Sequence, residues 1–150
     1  PNSEARNGKQ YDIRSFKVAK FSKGCAGNDI SGIGCVYVPP SYSPIKAGSE
    51  EMKKWDPNWN KTEYASRDNY WAGAKKACDD IGMSLPDDSK LVSIYKAGKK
   101  DSSLGLPTFG WFWGSSEYGT SKADRVSLND GLPSYGYKYD SYHKVLCVGD

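Results

Sequence analysis

The chain has little of what catalytic and metal centres are usually built from. It carries a single histidine, His143, and its four cysteines include no C-x-x-C pair. Zinc ligation favours tight cysteine pairs completed by histidine, so that spacing argues against a zinc site. No apolar run approaches the roughly 20 residues a membrane span needs. The net charge is only +3 and the lysines are scattered, which argues against nucleic acid as a partner. No signal-peptide pattern opens the sequence, and Pro1 in place of Met reads as a processed or trimmed start. Internal repeats and low-complexity segments are missing as well.

What is present is a globular composition rich in aromatics, with 11 Tyr and 5 Trp in 150 residues. A chain of this length suits one domain that buries about 70% of its unfolded surface. Cys25, Cys35, Cys78 and Cys147 are an even set, and they read as disulfides of an exported protein in an oxidising compartment. The spacing suggests Cys25–Cys35 closing a short loop and Cys78–Cys147 tying the middle of the chain to its end.

Residues 1–10 are polar, and Phe16 and Val18 alternate as in a strand. Gly27-Asn28-Asp29 and Ser31-Gly32 read as turns, and Cys35 to Val38 as a strand stopped by Pro39-Pro40. Residues 39–69 form a long irregular connection, and Trp55 and Trp59 imply that part of it packs down. Asp68 or Asn69 caps a helix running to Ile81, with Trp71, Ala74, Cys78 and Ile81 on one stripe and Gly82 as its end. A second helix, capped by Asp87 or Asp88, buries Leu91, Ile94 and Tyr95 and stops at Gly98. Three further strands are expected at Trp111–Trp113, Arg125–Leu128 and Lys144–Val148. In the first, alternation puts Trp111 and Trp113 on one face and Phe112 on the other.

Four segments stand in a telling order: Ala74-Lys75-Lys76-Ala77-Cys78, Leu85-Pro86, Trp113-Gly114-Ser115-Ser116-Glu117 and Val145-Leu146-Cys147-Val148. In that order they resemble the bacterial branch of the C-type-lectin-like fold. The resemblance covers residues 64–150. It leaves 1–63 as an N-terminal extension with first strands, although one compact domain over 11–150 is expected. It implies an α+β fold, two helices packed on a small twisted antiparallel sheet with long loops, stapled by disulfides. That branch includes surface adhesins, heads of pilin-like proteins, and variable proteins diversified by retroelements. Binding of a protein or glycan on a cell, phage or host surface is implied, through the loops between Ser115 and His143.

Those loops hold Tyr118, Tyr135, Tyr137, Tyr139 and Tyr142 among Ser, Asn, Asp and Gly. Tyr supplies rigid amphipathic contact area and the small polar residues supply adaptable hydrogen bonds, as in antibody paratopes. With Trp111, Trp113, Ser115, Ser116, Glu117, Asn129, Ser134 and His143 they form the expected ligand-binding set. The plainer alternative is that the tyrosines cover a twisted sheet or fill loops.

Candidates for chemistry are weaker. Asp140, Ser141 and His143 contain the atoms of a triad, but neighbours on one loop seldom converge with triad geometry; a surface or ligand-contacting His143 is expected. Relatives of this fold that make formylglycine use reactive thiols, and two disulfides leave none. Asp56 to Asn60 opens like a calcium loop, yet Lys61 stands where Gly is required and Arg67 where Glu is. Sugar-binding animal lectins of the fold use Glu-Pro-Asn for calcium, and this chain offers only Leu128-Asn129-Asp130. Neither metal nor cofactor is expected. Asn60-Lys61-Thr62 fits a glycosylation acceptor. The resulting expectation is a secreted or surface-displayed binding domain rather than an enzyme. The alternatives are a pilin subunit with a lectin-like head and a formylglycine-generating type of enzyme.

Overall fold

Asn69 ends an extended stretch, and its side-chain carbonyl accepts the Ala72 N–H at 2.8 Å, which starts helix α2, Tyr70–Asp79. Trp71, Ala74 and Cys78 of its stripe are buried, while Ile81 falls beyond the helix end and is half-buried. Asp87 caps helix α3, Asp88–Lys100, in the same way by accepting the Lys90 N–H. This helix does not stop at Gly98. Gly98 faces Leu106, and a Cβ there would lie 3.4 Å from the Leu106 Cβ, so the glycine permits close packing rather than a cap. These elements come from a computed structural model that describes residue 25 and residues 27–149. The expected strand around Phe16 and Val18 lies outside the described residues.

The structure is α+β, and its described residues form three α-helices and two three-stranded antiparallel sheets where two helices and one sheet were expected. In the first sheet, β1 (Asn28–Ile30) and β2 (Gly34–Tyr37) form a hairpin, and β6 (Cys147–Gly149) pairs with β2. The supposed turn at Asn28-Asp29 is therefore strand, because β2 supplies it with a partner. The second sheet has the order β3 (Trp111–Tyr118), β4 (Lys122–Ser127), β5 (Pro133–Tyr137). β5 corrects the expectation of a loop: Pro, Ser and Gly have low strand propensity, but full pairing with β4 overrides it. Pro133 takes the first position, where a strand tolerates proline.

β3 is buried on both faces. Phe112 joins Leu91, Ile94, Val126 and Leu146, while Trp113 joins Trp71, Ala74, Cys78 and Cys147. Both disulfides, Cys25–Cys35 and Cys78–Cys147, are formed as the spacing suggests. The long connection is pinned by helix α1 (Glu51–Trp55) and a 3₁₀ turn at Trp59–Lys61. Here Ile45, Met52 and Trp59 build a third core with Ala72.

Lys138 lies at the junction of these parts and is fully buried. Its ammonium donates to Asp56 Oδ2 at 2.8 Å, to Glu117 Oε2 at 2.6 Å and to the Thr120 carbonyl at 2.9 Å. Asn69 Nδ2 donates to the same Asp56 oxygen at 2.8 Å, which links the helix cap to the node. Among the described residues, no helix is long and apolar enough to cross a membrane.

Candidate functional site

Residues directly opposite one another in a ladder share a face of the sheet. Tyr118 pairs with Lys122, Lys122 with Tyr137, and Asp124 with Tyr135, so these five side chains stand on one face. Helix α3 covers that face where Phe112 and Val126 lie, and its first residue, Asp88, meets the sheet at Gly114 and Asp124. Beyond that point the face is open. Tyr118 and Tyr135 stack on each other across β4, with centroids 3.7 Å apart and planes 17° apart, and they remain 51% and 47% exposed. Tyr137 stacks on Tyr139 at 4.9 Å, and both rest against Tyr64 from the long connection. Lys122 lies over Tyr137 and Arg67 over Tyr139. Ser115 and Ser116 are exposed earlier on β3, where the β3–β4 register is interrupted between Trp113 and Glu117.

The opposite face carries a different set. Trp113 is fully buried, stacks on His143 at 3.9 Å and donates its indole N–H to the Tyr42 hydroxyl at 3.2 Å. Trp113 is therefore core, and its surface is not available to a ligand. His143 is buried between Trp113 and Tyr142, contrary to the expectation of a surface histidine. Gly136 makes room for it, because a Cβ there would lie 2.6 Å from His143 Nε2. Burial, and then the neighbouring Arg125, push the His143 pKa down to about 3. Its Nε2 faces Arg125 Nη1 at 3.2 Å, so among the described residues its side-chain partner is this guanidinium and not a serine.

Arg125 was missed by the sequence reading. It lies 3.8 Å over the half-buried Trp111 ring and donates to the hydroxyl of Tyr142, which is 59% exposed. Ser134 is its direct partner on β5. The remaining expected residues have structural occupations. Glu117 pairs with Lys138, and the Asn129 side chain accepts the Gly110 N–H at 2.9 Å. Asp130 accepts the Leu132 N–H, and Asp56 is turned inward onto Lys138 and Asn69. Two grooves of 410 and 470 Å³ flank residues 39–42, one against α2 and one against residues 143–145, and the tyrosine face lines neither. The sequence-expected set thus divides between an open tyrosine face, an Arg125–Tyr142 face and the core.

The meeting of α3 with β4 has an electrostatic consequence. Burial, and then the Asp88 carboxylate, raise the Asp124 pKa to about 6. A raised carboxyl binds its proton more tightly folded than unfolded, so this term is stabilising at low pH and is lost as pH rises from about 4 to 6. His143 acts in the opposite sense: its depressed folded pKa makes stability rise between about 3 and 6.5. The two terms oppose each other across pH 4–6. Asp124→Asn should unmask the histidine term, giving a melting temperature that climbs more steeply over that range than in the parent. Parallel pH–melting curves for the two proteins would refute this.

Comparison with protein-family models, with curated proteins and with solved structures finds no match for this chain. The class of protein defined by the structure is a disulfide-stapled α+β domain.

Proposed function

We propose that the chain is a secreted or surface-displayed binding domain of the C-type-lectin-like type, recognising a protein or glycan through its tyrosine face. The observation that carries this is the Tyr118–Tyr135 pair. Two large side chains from separate strands are held against each other across a third, at the rim of the fold, with about half of each open to solvent. An aromatic surface already fixed in place loses little entropy on binding, and Tyr is among the residues that dominate interfaces. Lys122 on the same face adds a polar contact near the pair, and Ser115 and Ser116 are exposed on the strand that carries Tyr118. The order of the four sequence segments supports the fold type. The two disulfides point to an oxidising, extracellular setting. They also occupy every cysteine, so a thiol-based reaction has no nucleophile here.

Screening the protein on a glycan array and against a displayed peptide library identifies the probe for the test. Tyr118→Ser and Tyr135→Ser should each leave the domain folded, costing about 0.5–1.5 kcal/mol for the lost aromatic pair. Each should weaken capture of the selected probe by about 30-fold, the mark of a hot spot. If both substitutions unfold the domain, the pair is structural and the binding site lies elsewhere.

A further inference from the structure

We infer that Arg125 is the anchor of a second binding site, separate from the tyrosine face, which takes the carboxylate of an acidic sugar. Lys46, Lys53, Lys76 and Lys138 all have carboxylate partners. Among the described residues, no carboxylate lies within ion-pair distance of Arg125. The guanidinium is nonetheless held still. Trp111 supports it at 3.8 Å, and its Nη1 donates to Tyr142 Oη and to His143 Nε2, each at 3.2 Å. Its Nε is enclosed without a partner, and its Nη2 bonds to none of the described residues. A fixed, partly desolvated guanidinium whose Nη2 keeps both N–H groups free is suited to a charge-assisted hydrogen bond to a carboxylate.

The surroundings favour a sugar over an acidic peptide. Tyr142 rests on His143 and is otherwise exposed, which leaves an aromatic plane for the C–H face of a ring. Ser134 is half-exposed opposite Arg125, and Ser141 is exposed beside Tyr142, so hydroxyl partners are at hand. Asp140 stands 3.4 Å from the Tyr142 hydroxyl, accepting its proton. A second carboxylate can take a sugar hydroxyl, whereas it repels a chain of acidic side chains.

The test is titration of the whole chain with glucuronic acid and N-acetylneuraminic acid, followed by Trp fluorescence. The uncharged glucuronamide and an aspartate-rich peptide are run alongside. At least one acidic sugar should bind with about millimolar affinity, and the amide should bind at least about tenfold more weakly, since hydrogen bonds to charged groups are the strong ones. Arg125→Gln should remove this difference. Arg125→Lys, which keeps the charge and loses the planar group held over Trp111, should reduce it, and serves if the glutamine variant does not fold. Tyr118→Ser should leave acid binding unchanged, so failure of the tyrosine face is read separately. Equal binding of acid and amide, unchanged binding by both Arg125 variants, or no binding of either acid would overturn the proposal. Binding of the acidic peptide in place of both sugars would overturn the sugar assignment.

Discussion

Replacing Lys138 by Met should cost about 3–5 kcal/mol of folding stability, the range for breaking a buried ion pair from one side. Lys138 is 0% exposed and Asp56 is 3% exposed, so removing the ammonium strands the Asp56 carboxylate with the Asn69 amide as its remaining side-chain partner. Glu117 is 41% exposed and can turn to water, so its half of the node contributes little to the loss. Against a total of about 5–15 kcal/mol for a typical domain, this single change approaches unfolding. The double variant Lys138→Met/Asp56→Asn leaves no buried charge and should recover much of the stability. Urea unfolding of the two variants decides the matter. A loss below about 1 kcal/mol in the single variant would show that the node adds nothing to the fold.

The second large effect concerns the long disulfide. Cys78→Ala/Cys147→Ala releases a loop of 69 residues that joins α2 to β6, whereas the Cys25–Cys35 bridge spans 10. In the chain-entropy model the long bridge contributes about 4 kcal/mol and the short one under about 3 kcal/mol. Both long-bridge sulfurs also lie in the core among Trp71, Trp113 and Val145, so truncation adds a packing loss. The long-bridge variant should therefore unfold at lower urea than the corresponding Cys25/Cys35 variant. The reverse order would mean that the first sheet, not the α2–β6 junction, limits stability.

What the sequence made legible was local. Asn69 and Asp87 announce their helices because a cap needs only the next few residues, and Trp111-Phe112-Trp113 announces two faces because strand alternation is built into the backbone. Register decided the rest. Tyr135 and Tyr137 alternate as strand residues do, but Pro133, Ser134 and Gly136 obscure the pattern, and pairing with β4 decides it. Nothing in the sequence singles out Lys138, because its carboxylate partners lie 82 and 21 positions away. The same distance hid the site. His143 is buried by Trp113 and by the space Gly136 leaves, and the importance of Arg125 shows only once β4 sets it over Trp111. The tyrosines were visible from composition, but which of them remain open followed from where α3 begins.

β3 separates the two main cores and belongs to both, with Phe112 on one side and Trp113 on the other. An excursion that lifts α3 away exposes one wall of this strand, and one that lifts α2 exposes the other. Opening either core takes support from β3, whose neighbouring residue packs in the other, so loss of one core loosens the second. Partial opening is therefore confined to the chain's margins, and the amides from Phe112 to Gly114 should exchange with solvent only when the whole domain comes apart. The strand that carries Tyr118 at its far end is thus the last to let go.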